Sequence, residues 1–514
     1  MRAREVFVSG IILSVSAFVM RSVSVAFNVY VSDKIGAEGM GLLTLIMSVY
    51  SLALTFAVSG ISLAATRLTA EAAGSGREGD IKAAMIRCLV YSAAFGITAS
   101  LAVFFGADYI GGVWLGDTRS IKALRVFALS MPFISVSSAM NGYFTALRKV
   151  VKTSAAQFFE QGVRIAVTVI LFTAFLKRGT EYACIAVIAG QTVAEILSFL
   201  LTVILYLYDA RRICGIAPDK AEKKLLTSKM LHIALPVAFS AYIRTGLVTL
   251  EHLLIPRGLR KFGASGERSL ATYGTLQGMV LPIVLFPTAF LSSFNLLLVP
   301  ELAEASAKGE KRHITYIISR VMKFTMLFSL GVSAIMICFS GELGIVIYDS
   351  REAADYIRIV APLAPIMFLD SAVDSMLKGL DEQLYNMRIN IIDAASSALL
   401  VYVLCPRIGI MGYIVTIFVS EIFNLSCSFV RLLNTTGFKV KVGEWFLKPL
   451  VCAVSACVFT RALLEVSNGV SYTPPSLTLH LLLAGLMYLL LLLVTNTLGS
   501  DDCAWLKKLV KFKK

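Results

Sequence analysis

The sequence has few of the residues that soluble proteins and metal centres rely on. Only 16% of its 514 residues are charged and only 4 are histidine, whereas 57% are hydrophobic. Soluble domains carry about 25% charged residues on average, so a soluble globular domain is excluded. The abundance of Leu, Ile, Val and Phe also excludes intrinsic disorder. The composition therefore predicts a membrane protein that crosses the bilayer many times.

Cysteine and histidine form no recognisable motif. The 9 cysteines include Cys184, Cys338 and Cys405, which lie inside apolar runs without the CxxC or Cys/His spacing of metal and redox sites. The histidines are scattered along the chain. Neither a bound metal nor redox chemistry is predicted.

Fourteen hydrophobic stretches are long enough to cross a hydrocarbon core of about 30 Å, which takes roughly 20 helical residues. They are residues 6–31, 41–66, 81–106, 121–146, 153–176, 182–208, 229–255, 270–299, 314–340, 355–378, 388–405, 409–430, 447–465 and 478–498. Backbone groups inside a bilayer need hydrogen bonds within their own segment, so the stretches are predicted to be helices. We expect an all-α polytopic protein with about 14 transmembrane helices. The first stretch is unusually long and contains Arg21, so it is not expected to be a cleaved signal.

Basic residues set the predicted orientation. With the N-terminus inside, the cytoplasmic segments carry about 28 lysines and arginines and the outer segments about 12, as the positive-inside rule requires. Both termini are therefore expected in the cytoplasm and the protein in the plasma membrane. The net charge of +15 is explained by orientation rather than by nucleic-acid binding. The lysine-rich tail 501–514 is expected to contact anionic membrane lipids.

One basic segment lies on the predicted outer side. It is predicted to be a loop, Pro256-Arg257-Gly258-Leu259-Arg260-Lys261. The segment either departs from the positive-inside rule without consequence or binds an anionic ligand at the mouth of a cavity. Arg257 and Arg260 are therefore candidate binding residues.

The chain contains an internal repeat with an offset of 233 residues. Between Gly41–Arg87 and Gly274–Arg320, 12 of 47 positions are identical. The loop motif Ala70-Glu71-Ala72 with Gly76 recurs as Ala303-Glu304-Ala305 with Gly309. Six helices separate equivalent elements, so both halves should have the same orientation and be related by an axis along the membrane normal.

The repeat predicts two pseudo-symmetric six-helix lobes followed by two further helices. The expected divisions are an N-terminal lobe (1–208), a basic cytoplasmic linker (209–228), a C-terminal lobe (229–431), and helices 13 and 14 with a basic tail (432–514). Parallel repeats of this kind place a substrate path between the repeats.

Arginines inside the predicted spans are functional candidates because an ionised group is costly in hydrocarbon. Arg21 corresponds to Arg244 at an offset of 223, and a polar residue follows each by seven positions, Asn28 and Glu251. Seven residues make two helical turns, so each pair shares a face. Paired guanidinium groups in a wet cavity suit a phosphate or pyrophosphate. The alternative is snorkelling or a structural ion pair.

Further charged residues lie near membrane depth. Arg164 is a third arginine candidate, although Glu160 four residues earlier could simply neutralise it. The carboxylates could bind Na⁺ or carry a proton, or they could pair with the arginines. They are Glu160, Glu195, Asp370, Asp393 and Glu421. No cofactor is expected beyond such a coupling ion.

Two groups of residues carry a family resemblance. They are Arg21 to Asn28 with Ile35-Gly36-Ala37-Glu38-Gly39-Met40-Gly41, and Tyr273-Gly274, Gly278-Met279, Pro282 and Phe286-Pro287 with Leu298-Val299-Pro300-Glu301. The sequence resembles the stage V sporulation protein B-like branch of the multidrug/oligosaccharidyl-lipid/polysaccharide flippase superfamily. The resemblance extends over about the whole chain.

The resemblance implies a V-shaped, alternating-access transporter. Its cargo would be an undecaprenyl-pyrophosphate-linked sugar, a peptidoglycan or polysaccharide precursor, moved from the inner to the outer leaflet. The resemblance also implies that Arg21 and Arg244 bind the pyrophosphate. Lipid II flippases of this family carry an Asp-Arg pair where this chain has Leu276-Gln277, which leaves the sugar open. A lipid-linked glycan is the expected partner, and the protein is expected to be monomeric.

Two other functions compete with this prediction. A Na⁺- or H⁺-coupled multidrug extruder of the same fold would be expected to place a carboxylate on helix 1, where this chain has Arg21. A membrane-embedded glycosyltransferase would need a large catalytic loop and an acid/base pair with a metal motif, and the sequence has neither. The prediction is therefore a flippase rather than an enzyme, with the extruder as the alternative.

Overall fold

The computed structural model describes residues 2–75, 78–211, 220–438, 440–466, 473–499 and 502. It describes only the backbone of residues 2–15, 78, 150, 220–225, 292–297, 464–466 and 474. Within the described ranges the chain is almost entirely helical and contains no strand, so the all-α prediction is confirmed. The centre of the predicted linker and the predicted lipid-binding tail, apart from Asp502, lie outside the described residues.

Nineteen α-helices make up the described chain. They are α1 (Arg2–Val58), α2 (Ile61–Gly74), α3 (Glu78–Tyr109), α4 (Ser120–Ala128), α5 (Met131–Ala146), α6 (Val150–Phe175), α7 (Thr180–Ala210), α8 (Lys220–Phe262), α9 (Gly266–Tyr273), α10 (Leu281–Leu285), α11 (Thr288–Ala307), α12 (Lys311–Cys338), α13 (Ser340–Tyr348), α14 (Arg351–Val360), α15 (Ala364–Gly379), α16 (Gln383–Ile408), α17 (Ile410–Thr436), α18 (Lys448–Val466) and α19 (Pro474–Val494). Short π-helical segments adjoin three of them, at Ile110–Leu115, Gly274–Val280 and Gly443–Leu447.

The membrane spans agree roughly with the predicted count. In the described chain 11 helices are long and apolar enough to cross a membrane, or 12 if the bent pair α4 and α5 forms one span. One of them, Ser16–Gly74, includes residues 16–31 of the first predicted span and all of the second, because α1 continues through a break at Gly36 whose φ of 68° is not helical. The predicted eighth span is divided into α9, α10 and α11, and Pro282 and Pro287 stand at the starts of α10 and α11.

The helices group into two compact units. The first contains Met1–Gly274 and Ala394–Tyr413, and the second contains Thr275–Asp393 and Ile414–Lys514. Helix α8 packs against α1, α2 and α3 in the first unit, although the repeat assigns it to the C-terminal lobe. The predicted lobe boundaries stay a prediction, because compact units group helices by contact whereas the lobes are defined by the sequence repeat.

Equivalent residues of the repeat contact each other within the first unit. A side chain at Gly41 would overlap the carbonyl oxygen of Leu270, and a side chain at Gly274 would overlap that of Ala37. Gly274 is the repeat mate of Gly41, and Leu270 is the repeat mate of Ala37. A reciprocal contact of this kind is what a two-fold axis produces. The pseudo-symmetry axis therefore passes through the crossing between α1 and α9, where only glycine fits.

The two C-terminal helices are fixed to α12 within the second unit. The hydroxyl of Tyr488 on α19 donates a hydrogen bond to the carbonyl of Leu327 at 2.7 Å and packs against Gly331. Arg461 on α18 donates a hydrogen bond to the carbonyl of Cys338, the last residue of α12, and forms an ion pair of 2.8 Å with the almost fully buried Glu342 on α13. Because the contacts reach both helices, α18 and α19 form one packed group with α12.

Candidate substrate and ion sites

A cavity of about 380 Å³ lies between α1 and α8 in the first unit. Its lining residues are Thr44, Met47, Ser48, Ser51, Arg244, Thr245, Val248, Thr249 and His252. Arg244 is exposed and makes no hydrogen bond or ion pair with any residue that the structure describes. The ring nitrogen Nδ1 of His252 is 3.0 Å from the hydroxyl of Tyr273. The cavity thus presents an unpaired guanidinium beside hydroxyl groups, with no carboxylate in its lining.

The other members of the predicted arginine pair have different surroundings. Arg21 is exposed and, within the described ranges, has no hydrogen bond or ion pair, but it does not line the Arg244 cavity. Asn28 is half-buried, and its Oδ1 has no hydrogen-bond partner in the described chain. Glu251 is also half-buried and immediately precedes His252. The structure therefore places one of the two predicted arginines on a cavity and leaves the other as an isolated cation on α1.

Arg164 is held by neutral groups rather than by a carboxylate. Its guanidinium donates hydrogen bonds to Oε1 of Gln191 at 3.0 Å and to Oε1 of Gln161. It also lies 5.5 Å from the centre of the Phe27 ring. No described carboxylate lies within 4.0 Å of it, so Glu160 does not form a direct ion pair with Arg164.

A second cavity, of about 350 Å³, contains two of the predicted ion-coupling residues. Glu160 and Glu195 both line it, together with Gln157, Gln191 and several hydroxyl-bearing side chains. Glu195 is 6% exposed. Its Oε1 accepts hydrogen bonds from Tyr50 and, at 2.6 Å, from Nε2 of Gln191. Its Oε2 has no hydrogen-bond partner in the described chain and is available to a bound cation or proton.

Gln191 links the arginine and the buried carboxylate. Its Oε1 accepts from Arg164 while its Nε2 donates to Glu195. Because the two ends of an amide have opposite hydrogen-bonding character, this arrangement fixes the amide orientation. The guanidinium and the carboxylate are thereby coupled without direct contact.

The equivalent acids of the second half lie in the second unit. Asp393 accepts a hydrogen bond of 2.7 Å from the hydroxyl of Ser420. Glu421, the next residue, is half-buried, as is Asp370 on α15. In the part of the chain that the structure describes, no three Asp, Glu, His or Cys residues are close enough together to hold a metal ion.

The basic segment 256–261, predicted as an outer loop, instead forms the last turns of α8, because a membrane helix can accommodate a proline such as Pro256. It contacts the π-helical segment that follows α3. Arg257 is exposed and donates hydrogen bonds to the carbonyls of Val113 and, at 2.7 Å, Trp114. Arg260 is half-buried and packs against Gly116, whose φ of 66° closes the π-helical segment. Arg257 therefore lies near backbone carbonyls at a helix C-terminus, where positive charge is stabilising.

Comparison with known proteins identifies the family. The family described as "Polysaccharide biosynthesis protein" matches residues 7–257, and the family described as "MatE" matches residues 262–404. Stage V sporulation protein B of Bacillus subtilis (strain 168) is 24% identical over 507 residues, covering 97% of each chain. The chain belongs to the multidrug/oligosaccharidyl-lipid/polysaccharide flippase superfamily. Within this superfamily it falls in the stage V sporulation protein B-like branch.

The chain is also similar, in sequence and in fold, to lipid II flippases of this superfamily. Lipid II flippase MurJ of B. subtilis (strain 168) is 21% identical over 462 residues, covering 84% of this chain and 83% of that one. A structure described as "Lipid II flippase MurJ, inward closed conformation" matches with a TM-score of 0.71 at 14% identity, covering 95% of this chain and 99% of that chain. The protein is therefore a multi-pass membrane transporter of this superfamily with its two-lobed repeat.

Some site residues of this flippase-superfamily member are not evident from charge alone. Tyr50 and Gln191 complete the site around Glu195. Tyr50 lies on α1, far from Glu195 in sequence, whereas Gln191 lies four residues before Glu195 on α7 and was recognisable from that spacing. Gln161 was recognisable, because it lies three residues before Arg164 on the same helix face. The hydroxyl groups around Arg244 were also recognisable, because Thr44, Ser48 and Ser51 recur with helical spacing.

Proposed function

We propose that the protein moves an undecaprenyl-pyrophosphate-linked oligosaccharide from the inner to the outer leaflet by alternating access. The observation that carries this proposal is the unpaired guanidinium of Arg244 on a cavity without a carboxylate. An arginine that only stabilised the fold would be expected to have a protein partner at membrane depth. A pyrophosphate supplies that partner, since its oxygens match the guanidinium fork. Arg21 is the second proposed contact, at another point of the path.

The relatives support this assignment of cargo. One relative is named as a lipid II flippase, and one family match is described as a polysaccharide biosynthesis protein. A lipid-linked glycan of the peptidoglycan or polysaccharide type fits both descriptions. On this proposal the protein acts as a monomer in the plasma membrane with both termini in the cytoplasm, and Arg257 and Arg260 meet the anionic headgroup on the outer side.

A coupling ion, Na⁺ or H⁺, is the proposed source of energy. The first candidate site is the cavity of Glu160 and Glu195, where one carboxylate oxygen of Glu195 has no described protein partner. The acids of the second half, Asp370, Asp393 and Glu421, are the other proposed ion-coupling residues. At membrane depth a carboxylate has a lower free energy when it binds a cation or a proton than when it stays ionised without a partner.

A multidrug extruder of cations is the alternative function. It is favoured by the MatE match over residues 262–404 and by the two glutamates that line the 350 Å³ cavity. An organic cation would be attracted to those carboxylates. The unpaired Arg244 disfavours this alternative, because a cationic cargo would be repelled by it.

Complementation of cells depleted of their own lipid II flippase tests the proposal. We expect wild type to restore growth and Arg244→Ala to fail, with Arg21→Ala impaired, at matched membrane levels. Arg351→Ala is the matched control, since Arg351 is exposed at the start of α14 in the second unit. If wild type is present in the membrane but restores nothing, lipid II is not the cargo. Resistance to a cationic drug that is lost in Glu195→Gln would support the extruder instead.

A further inference from the structure

A row of hydroxyl groups runs along one face of α1 beside Arg244. Thr44, Ser48, Ser51 and Thr55 are spaced by four, three and four residues. At 3.6 residues per turn they fall within an arc of about 60° and extend over about 16 Å of helix. Ser59 follows directly after the end of α1. A row of this length covers about half of a hydrocarbon core of about 30 Å.

Helix α8 presents matching polar groups to this row. Oγ1 of Thr55 is 3.4 Å from Oγ1 of Thr245, and Oγ1 of Thr249 donates to the carbonyl of Ser48 at 3.2 Å. The hydroxyls of Ser59 and Tyr242 also form a hydrogen bond. We call these hydroxyl groups of α1 and α8, Ser59 included, the hydroxyl track. Five residues of the track line the cavity that contains Arg244, namely Thr44, Ser48, Ser51, Thr245 and Thr249.

Most of the track hydroxyls use their only proton within the protein. Thr44 donates to the carbonyl of Met40, Ser48 to that of Leu45 and Thr55 to that of Ser51, each at 2.7 Å. A hydroxyl has one donor and two acceptor lone pairs, so its oxygen remains able to accept. The track therefore offers acceptors to a ligand rich in O–H donors, and Arg244 offers donors to an anion next to it.

The repeat shows which part of the track has no polar counterpart in the other half. The repeat mates of Ser48 and Ser51 are Leu281 and Val284, and at the offset of 223 Thr249 corresponds to Ala26. Thr55 and Ser59, in contrast, have the identical mates Thr288 and Ser292, and the mates of Thr44 and Thr245 are the polar residues Gln277 and Ser22. The hydroxyls of Ser48, Ser51 and Thr249, all of which line the Arg244 cavity, are therefore the ones that the packing of the other half does not need.

We propose that the hydroxyl track carries the sugar of the cargo, an uncharged polyhydroxyl group, while Arg244 holds the adjoining phosphate. This proposal rests on the proposed flippase function and assigns the sugar contacts that the arginines do not supply. The contacts are individually weak, because each replaces a hydrogen bond to water. Weak contacts at several successive sites suit transport, since a cargo that binds tightly at one site does not leave it.

Two probes in proteoliposomes distinguish sugar contacts from phosphate contacts. One is a polyprenyl pyrophosphate bearing a neutral disaccharide, and the other is the same polyprenyl pyrophosphate without sugar. The rate at which each headgroup becomes accessible to an external pyrophosphatase is measured for wild type and for Thr44→Val/Thr245→Val. We expect the double variant to move the disaccharide probe about fivefold to tenfold more slowly, from the loss of two hydrogen bonds. The sugar-free probe should change by less than about twofold, as it makes none of these contacts.

Matched controls separate this effect from a loss of folding. Thr98→Val/Thr173→Val removes two exposed hydroxyls on α3 and α6 that also donate to backbone carbonyls of their own helices, and it should move both probes at the wild-type rate. Arg244→Ala should slow both probes. If the track variant slows both probes equally, or slows neither, the proposal that the hydroxyl track binds the sugar is wrong. If wild type moves neither probe, the flippase function itself is wrong.

Discussion

The two halves of the repeat handle their intramembrane acids differently. In the first half Glu195 is coupled through Gln191 to the guanidinium of Arg164. In the second half the equivalent of Arg164 at the offset of 233 is Ser397, and Asp393 accepts a hydrogen bond from the neutral Ser420. The first site therefore carries its own compensating charge, whereas the acids of the second half have no arginine at the equivalent position.

This difference identifies which half is better suited to an exchangeable ion. A carboxylate that already shares a network with a guanidinium gains little from an added cation, because its charge is partly compensated. The acids of the second half have no arginine at the position equivalent to Arg164, so a bound cation or proton is the counter-charge that we propose for them. Of the two candidate groups of acids, we therefore expect Asp370, Asp393 and Glu421 to be the main ion-coupling residues, and Glu160 with Glu195 to bind an ion more weakly.

Neutralising the acids of the second half gives the largest expected effect. Asp393→Asn/Glu421→Gln should abolish the dependence of transport on an imposed Na⁺ or H⁺ gradient, a loss of about 5–150-fold if the coupling free energy is typical. Glu160→Gln should retain the dependence. The measurement is flipping in proteoliposomes with and without each gradient. If Glu160→Gln loses the gradient dependence and the double variant keeps it, the ion is coupled through the acids of the first half and not through those of the second.

Removing the compensating arginine tests the first half. Arg164→Met should lower the free energy of unfolding by about 3 kcal/mol, because it leaves the amide oxygens of Gln161 and Gln191 buried without their donor. Adding Glu195→Gln should recover part of that loss, since the remaining carboxylate would no longer be uncompensated. Thermal unfolding in detergent of the two single variants and the double variant measures this interaction. Strictly additive losses would show that Arg164 and Glu195 are not coupled.

The fold was largely predictable because its signals are local in sequence. Hydrophobic length marks the spans, and prolines coincide with the breaks around α10. The repeat offset found in sequence also pairs the residues that meet at the crossing of α1 and α9. The grouping of α8 with the first unit was not predictable, because packing contacts follow from the three-dimensional arrangement and not from the repeat.

The candidate sites were predictable only in part. Charge at membrane depth is visible in a sequence, so Arg244 and Glu195 could be selected as candidates. The contacts between helices could not be predicted, since Gln191 on α7 accepts from Arg164 on α6, and Tyr50 on α1 donates to Glu195 on α7. A polar partner on another helix leaves no periodic signal near the residue that it contacts. A helical face of hydroxyls does leave one, and reading the spacing of Thr44, Ser48 and Ser51 would have shown it.

Substitutions of Gly41 and Gly274, at the crossing of the two repeats, give the smallest predicted effect. They test whether the two halves are alike in their packing at this point. Gly41→Ala and Gly274→Ala should each lower the free energy of unfolding by about 1–2 kcal/mol, because each new methyl group overlaps a carbonyl of the opposite repeat. Combining them should cost less than the sum, since the first substitution already separates the helices at the shared axis. Gly162→Ala, at an open helical position, should be neutral or stabilising. Thermal unfolding measures all four variants. Unequal costs at the two repeat mates would mean that the sequence symmetry does not extend to the packing of this crossing, and that the asymmetry of the acidic sites is part of a wider divergence between the halves.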